Sequence, residues 1–277
     1  MGIIIPVLGF KPLIGVVHLP PLPGSHQGLA GIDRLVDYAL REAEKLERAG
    51  FDAVILENYS DNPFRNERVN DVTLTAMSVI VREVAKSLNL RVGVSLLRNA
   101  GLQALAIAYS SGAHFIRVNA YCETRVAPEG ILYPIASQLE TVRQQMDRHI
   151  LVLADVDVKH SGPLGARSLE EVVHDCVSRG RMDAIIVSGH ATSQAPSPGY
   201  VAAIKKLAGL KPVLVGSGIS IGNVRAYWNI ADGFIVGTSI KIENDTQKPI
   251  DTAKAEKLAK IVKELRSSSL QWFGEPQ

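Results

Sequence analysis

The chain has 277 residues, 46% of them hydrophobic, and its 30 Lys and Arg against 28 Asp and Glu leave a net charge of +2. A balance that close supplies no field for nucleic acid or an anionic bilayer, so neither is expected as a partner. The two cysteines, Cys122 and Cys176, stand far apart without metal-ligand spacing, which excludes a disulfide framework and predicts a cytoplasmic protein.

The opening MGIIIPVLGFKPLIGVV is apolar, but Pro6, Gly9, Lys11 and Pro12 interrupt it. It reads as a short N-terminal arm, not as a signal peptide or an integral membrane segment. Eight aliphatic runs then follow in order: LIGVVHL (13–19), DAVILEN (52–58), LRVGVSL (90–96), AHFIRVN (113–119), ILVLADVDV (150–158), DAIIVSG (183–189), PVLVGSG (212–218) and DGFIVGTS (232–239). Amphipathic stretches separate them, including 32–50, 72–89 and 168–180, the first and last ending on a glycine suited to a helix C-terminus. Eight βα units on near-continuous Val, Ile and Leu strands predict an α/β TIM barrel of eight parallel strands with outer helices. Residues 1–277 read as one domain with a short arm and a C-terminal tail. An open doubly wound sheet is the alternative, but no G-x-G-x-x-G follows the first run. The arm and the tail, SSSLQWFGEPQ, both carry apolar residues that need cover, which predicts a homo-oligomer.

In such a barrel the active face lies at the C-terminal strand ends. Reading those ends in turn gives His18, Glu57 with Asn58, Ser95 with Arg98 and Asn99, Arg117 with Asn119, a group of Asp155, Asp157, Lys159 and His160, and Ser188 with His190. A single charge at a strand end is ordinarily a solvated rim residue, but a purely structural mouth has no need of six polar ends together. The fifth run is the densest. Strand alternation puts Leu151, Leu153, Asp155, Asp157 and Lys159 on one face, so both aspartates are expected to point into the barrel, with Lys159 ion-paired to Asp157. The seventh and eighth ends, VGSGIS and VGTSI, carry a different signal: Gly216, Ser217 and Gly218, then Gly237, Thr238 and Ser239. Glycine backbone N–H groups beside hydroxyls at these two ends predict a phosphate site, although the same glycines would also serve tight turns.

Taken together, IGVVHLPPLPGS, DAVILENYSDNPF, LLRNAG, ALAIAYSSGAHFIRVNA, LADVDVKHSGPL, VLVGSGISIGNV and ADGFIVGTSIK resemble the BtpA family over nearly the full length. That family takes its name from a photosystem I biogenesis factor and includes sugar-operon proteins of unsettled activity. The resemblance implies a TIM barrel like those that bind ribulose phosphates, with a phosphate-site-like end. Two positions depart from the family pattern: Ser60 replaces a glycine, and Ala100 replaces an aspartate after LRN.

The leading functional expectation is an enzyme acting on a small phosphorylated metabolite, such as a sugar phosphate, by isomerase- or lyase-type proton transfer. His18, Asp155, Asp157 and Lys159 are its catalytic candidates. Substrate binding is assigned to Glu57, Asn58, Ser95, Arg98, Asn99, Arg117, Asn119, His160 and Ser188. Lys159 offers a Schiff-base variant. No organic cofactor is expected. His18, Glu57, Asp155, Asp157 and His160 are ligand types for a divalent metal, so a metal-dependent phosphate-ester or nucleotide hydrolase is an alternative, without a local ligand motif to support it. The rival from another class is a non-catalytic assembly factor for a membrane protein complex.

Overall fold

The eight aliphatic runs become the staves of one closed barrel. The computed structural model describes residues 3–189 and 191–271. In it β1 (Leu13–His18), β2 (Ala53–Glu57), β3 (Arg91–Ser95), β4 (Phe115–Val118), β5 (Leu151–Val156), β6 (Ala184–Val187), β7 (Val213–Val215) and β8 (Gly233–Val236) pair in sequence order. All pairings are parallel, and β8 returns to β1 through Phe234 opposite Leu13. This is a TIM barrel.

Helices cover the outside because each carries an apolar stripe. In α1 (Ile32–Ala49), Leu35, Ala39, Ala43 and Leu46 are buried at helical spacing, and Gly50 closes the helix at φ 88°, returning its N–H to Glu47 and Leu46. The others are α2 (Asp71–Ser87), α3 (Gly101–Ser111), α4 (Ala136–Arg143), α5 (Leu169–Arg179), α6 (Pro198–Ala208), the short α7 (Val224–Tyr227) and α8 (Thr252–Gln271). Ser168 and Glu171 form a reciprocal capping box at α5. No described helix is long and apolar enough to cross a membrane.

Two apolar clusters result. The larger lies between strands and helices. The smaller fills the barrel itself, with Ile14, Val16, Ile55, Phe115, Leu153, Ile186, Leu214 and Ile235. Ile5 and Leu8 of the N-terminal arm belong to this inner cluster, because Ile4–Ile5 and Gly9–Phe10 form a small antiparallel hairpin that closes the barrel floor. Of the two segments behind the oligomer expectation, the arm buries Ile5 and Leu8 within its own chain but leaves Ile4 70% and Val7 50% exposed. The other, the Trp and Phe of the tail, lies outside the described residues. Truncating Ile5 to Ala would open a cavity in the floor, at a cost of about 2–5 kcal/mol.

Arg266 of α8 ties the chain ends together, donating to Asp52 and to the Lys11 carbonyl at 2.8 Å. At the other end of the barrel, Arg125–Ala127, Gly130–Leu132 and Gly162–Pro163 form a three-stranded antiparallel sheet beside the mouth. The aliphatic pattern did not announce it. Its sign in the sequence is the Pro128-Glu129-Gly130 turn, with Gly130 at φ 108°.

Candidate active site at the barrel mouth

Cross-strand register sets the floor of the site. His18 lies opposite Glu57, Glu57 opposite Ser95, and Ser95 opposite Arg117, so one row of the barrel wall ends in four polar side chains. All four are buried. Ser95 donates to Glu57 Oε1 at 2.9 Å, and His18 Nε2 stands 3.7 Å from Glu57 Oε2. Burial drives the His18 pKa down to about 4, against the pull of Glu57, so its imidazole is neutral at physiological pH. Its Nδ1 is buried without a hydrogen-bond partner among the described residues.

Asp155 is the hub above that row. It accepts Arg117 Nε and Nη2 at 2.9 Å each, Asn119 Nδ2 at 2.9 Å and Ser188 Oγ at 3.0 Å. Burial works against the Arg117 charge, but the carboxylate beside it prevails and holds Arg117 protonated beyond its usual range. A carboxylate committed to four donors orients its neighbours and has little lone-pair capacity left for a substrate proton. Asn119 Oδ1, on the far side of its amide, is buried and unpartnered among the described residues.

The expectation that Asp157 shares the inward face with Asp155 is not met. The strand ends at Val156, and Asp157 turns at φ 53°, breaking the alternation. Its carboxylate accepts Arg125 Nη2 and Tyr200 Oη, each at 2.8 Å, and its N–H donates to Glu123. Asp157 thus braces the three-stranded sheet against α6. The expected Asp157–Lys159 ion pair is therefore also absent. Lys159 forms no ion pair among the described residues and lies at the mouth, where burial and then Arg117 lower its pKa to about 8 against Glu57 and Asp155. Its backbone carbonyl accepts Arg98 Nη2 at 2.6 Å.

Other candidates are committed to the scaffold. Asn58 clamps Leu97 and Asp61 through both ends of its amide. Asn99 accepts the Ala120 N–H and donates to the Tyr133 carbonyl. Arg98 is buried, its Nε 3.9 Å from Glu129 at the hairpin tip and without a hydrogen bond among the described residues. His160 turns to the rim and meets Thr192 at 3.1 Å. His190 lies outside the described residues. Ala100 stands buried before α3 and supplies no side-chain cap. Among the described residues no three His, Cys, Asp or Glu side chains gather as a metal cage.

Beyond β7 and β8 opens a cavity of about 420 Å³, lined by Gly218, Gly237, Thr238 and Ser239 together with Ser220 and Lys254. Lys254, near the start of α8, had no sequence signal. Gly216 is absent from this lining. Its N–H is spent on the Val187 carbonyl at 2.8 Å, and a Cβ there would fall 2.4 Å from Ile186. Ser217 lies outside the lining too. Gly218, at φ 67°, lets the 194–195 backbone approach, and Gly237 makes room for the His18 ring. A second cavity of about 360 Å³ opens at β5 and β6, lined by Asp157, Lys159, Ser161, Ser188, Ser197 and Tyr200.

The BtpA family model matches residues 10–264. The chain belongs to the BtpA family. Its relatives include an uncharacterised protein of Thermococcus kodakarensis, 41% identical over 94% of this chain and 98% of that one. The photosystem I biogenesis protein BtpA of Synechocystis is 36% identical over 87% of this chain and 84% of its own. Among solved structures, N-(5'-phosphoribosyl)anthranilate isomerase from Pyrococcus furiosus superposes with a TM-score of 0.56 at 14% identity, covering 92% of this chain and 100% of that one. KGPDC from Streptococcus mutans gives 0.57 at 10%, covering 92% and 99%. At such identities these two share the barrel with this BtpA-family chain, and nothing finer follows from them.

Proposed function

We propose that this BtpA-family chain is an enzyme that moves protons, in an isomerase- or lyase-type reaction, on a small phosphorylated metabolite held at the barrel mouth. The observation that carries the reading is Lys159: a lysine with its pKa lowered to about 8, without an ion-pair partner among the described residues, at the same mouth as a neutral His18. A group titrating near working pH suits general acid–base chemistry. In its neutral form Lys159 would take a proton from a carbon next to a carbonyl, and neutral His18 would polarise that carbonyl by hydrogen bonding. Asp155 acts through Arg117 and is a positioning residue. The anion would sit in the cavity of Gly218, Gly237, Thr238 and Ser239, where Lys254 adds the positive charge.

The same lysine favours a second reading, an imine formed with a substrate carbonyl with loss of water. Borohydride would reduce that imine to a stable adduct on Lys159, visible as a mass increment, whereas proton transfer alone gives none. The Synechocystis relative's name suggests a scaffold role, but a scaffold gains nothing from buried His18 Nδ1 and Asn119 Oδ1, which have no hydrogen-bond partner among the described residues. The deciding experiment screens phosphorylated metabolites by thermal shift and turnover on wild type and Lys159→Met. Phosphorylated compounds should raise the melting midpoint, and one should be turned over in a Lys159-dependent way. If none binds, and Lys159→Met fully complements a deletion strain, the enzyme reading is wrong and the scaffold reading replaces it.

A further inference from the structure

The cavity at β5 and β6 has a hydrogen-bond polarity of its own. A carboxylate only accepts, so Tyr200 Oη must donate to Asp157 across their 2.8 Å contact, and Ser188 Oγ must donate to Asp155 across 3.0 Å. Ser161 Oγ donates to the Val158 carbonyl at 2.6 Å. Three of the lining hydroxyls have thus turned their protons into the wall; Ser161 Oγ also accepts Arg125 Nε at 3.0 Å, so Ser188 and Tyr200 are the two that face the cavity with free lone pairs. Asp157, whose side chain is 38% exposed, adds a carboxylate edge. Among the described side chains, the donors facing the same space are the Lys159 amino group, which keeps two N–H bonds in its neutral form, and the Ser197 hydroxyl, whose oxygen accepts the Tyr200 N–H at 3.2 Å.

A wall of acceptors with a few donors matches a ligand whose groups both donate and accept. A hydroxyl does both. A carboxylate or a second phosphate would meet lone pairs and Asp157, and an alkyl chain would leave Lys159 and the wall unpaired at a cost. We infer that this cavity seats an uncharged, hydroxyl-bearing end of the ligand, a polyol or sugar chain, with Lys159 as its donor and Ser188 and Tyr200 as its acceptors. The inference rests on the phosphorylated-ligand reading for the ligand's other end. The 194–195 backbone, packed against Gly218, divides the two cavities, since Ser193 lines the first and Ser197 the second. One extended ligand would reach both from the mouth.

The test is calorimetric titration with inorganic phosphate and three matched series. Glycerol 3-phosphate, erythritol 4-phosphate, ribitol 5-phosphate and sorbitol 6-phosphate are compared with alkyl phosphates and aldonic acid phosphates of equal length. At least one polyol phosphate should bind about tenfold or more tighter than both counterparts, because a site built to bond a hydroxyl rejects analogues lacking it. In Ser188→Ala/Tyr200→Phe that preference should shrink about tenfold relative to inorganic phosphate, with Ser188→Ala alone as the milder variant should the double one melt early. If alkyl or aldonate phosphates bind as well as the polyol phosphates, or the preference survives in the variants, the inference is overturned while the phosphate reading stands. If no phosphorylated compound binds but free ribitol or sorbitol does so in a Tyr200-dependent way, the phosphate reading falls and the hydroxyl seat stands. Binding of nothing at all overturns both.

Discussion

Replacing Asp155 and Asp157, in turn, by Asn separates two carboxylates that the sequence makes look alike. Asp155 has a fully buried side chain and holds Arg117, itself 6% exposed, through two bonds of 2.9 Å. Asn in its place offers one acceptor and presents an N–H to a guanidinium, leaving a buried cation with only the more distant Glu57 carboxylate. Breaking a buried pair in this way costs about 3–5 kcal/mol. At roughly 2–4 °C per kcal/mol for a chain approaching this size, the midpoint should fall by about 6–20 °C. Asp157 is 38% exposed, its ion pair with Arg125 is partly solvated, and Asn accepts its positive φ readily. Its replacement should cost about 1 kcal/mol, or roughly 2–4 °C. Melts followed by circular dichroism at pH 7 give the comparison directly. Removing the orphaned charge with Arg117→Met in the Asp155→Asn background should recover part of the loss. Equal midpoints for the two single variants, or a shift below about 3 °C for Asp155→Asn, would refute the idea that Asp155 is the charge on which Arg117 depends.

His18 gives a pH dependence. Its folded pKa of about 4 lies below the usual 6.5, so between these values the unfolded chain binds more protons, and stability is lost as pH falls through that window. His18→Asn should flatten the midpoint's decline between pH 6.5 and 4, and an unchanged slope would show that this histidine is not the buried neutral group. Lys159 has the opposite character to a stabilising residue: its ammonium is held against a pKa lowered from 10.5 to about 8, a penalty in full force below pH 8. Lys159→Met should therefore raise the midpoint at pH 7 while abolishing turnover; a lower midpoint would contradict the desolvation argument. At the cavity beyond β7 and β8, Gly218→Ala should destabilise far more than Gly237→Ala. Its Cβ would fall 2.1 Å from the Ala195 backbone at positive φ, whereas the Gly237 Cβ would meet the His18 ring at 3.0 Å. Equal denaturation midpoints for the two would count against it.

Each of the eight strands lies within a residue or a few of its aliphatic run, because a strand buried on both faces must be apolar throughout. Polar residues at the strand ends were legible for the same reason: His18, Glu57, Ser95 and Arg117 interrupt an otherwise apolar grammar. Alternation breaks at the point where the strand stops. Period two from Asp155 puts Asp157 and Lys159 on the inward face, but a single residue at φ 53° ends the pleat, and Lys159 reaches the mouth from a loop. Asn58 and Asn99 read as substrate ligands because nothing in the sequence shows that their amides are consumed by the Leu97, Ala120 and Tyr133 backbone. Tyr200, Arg125 and Lys254 come from helices and a hairpin remote in sequence, and only closure of the barrel brings them to the site.

The seam of the barrel joins the thirteenth residue to the two hundred and thirty-fourth, and this has a consequence during synthesis. A ribosome delivers β1 long before β8, so the strand of Leu13–His18 must wait with one row of N–H and C=O groups unsatisfied while more than two hundred further residues emerge. Any sheet formed before β8 emerges would have two open edges. Arg266, which clamps Asp52 and Lys11, arrives later still, after the seam can shut. The newborn chain's exposure to aggregation, and its need of chaperones, should accordingly end late and abruptly, once β8 and Arg266 have emerged, rather than gradually with length.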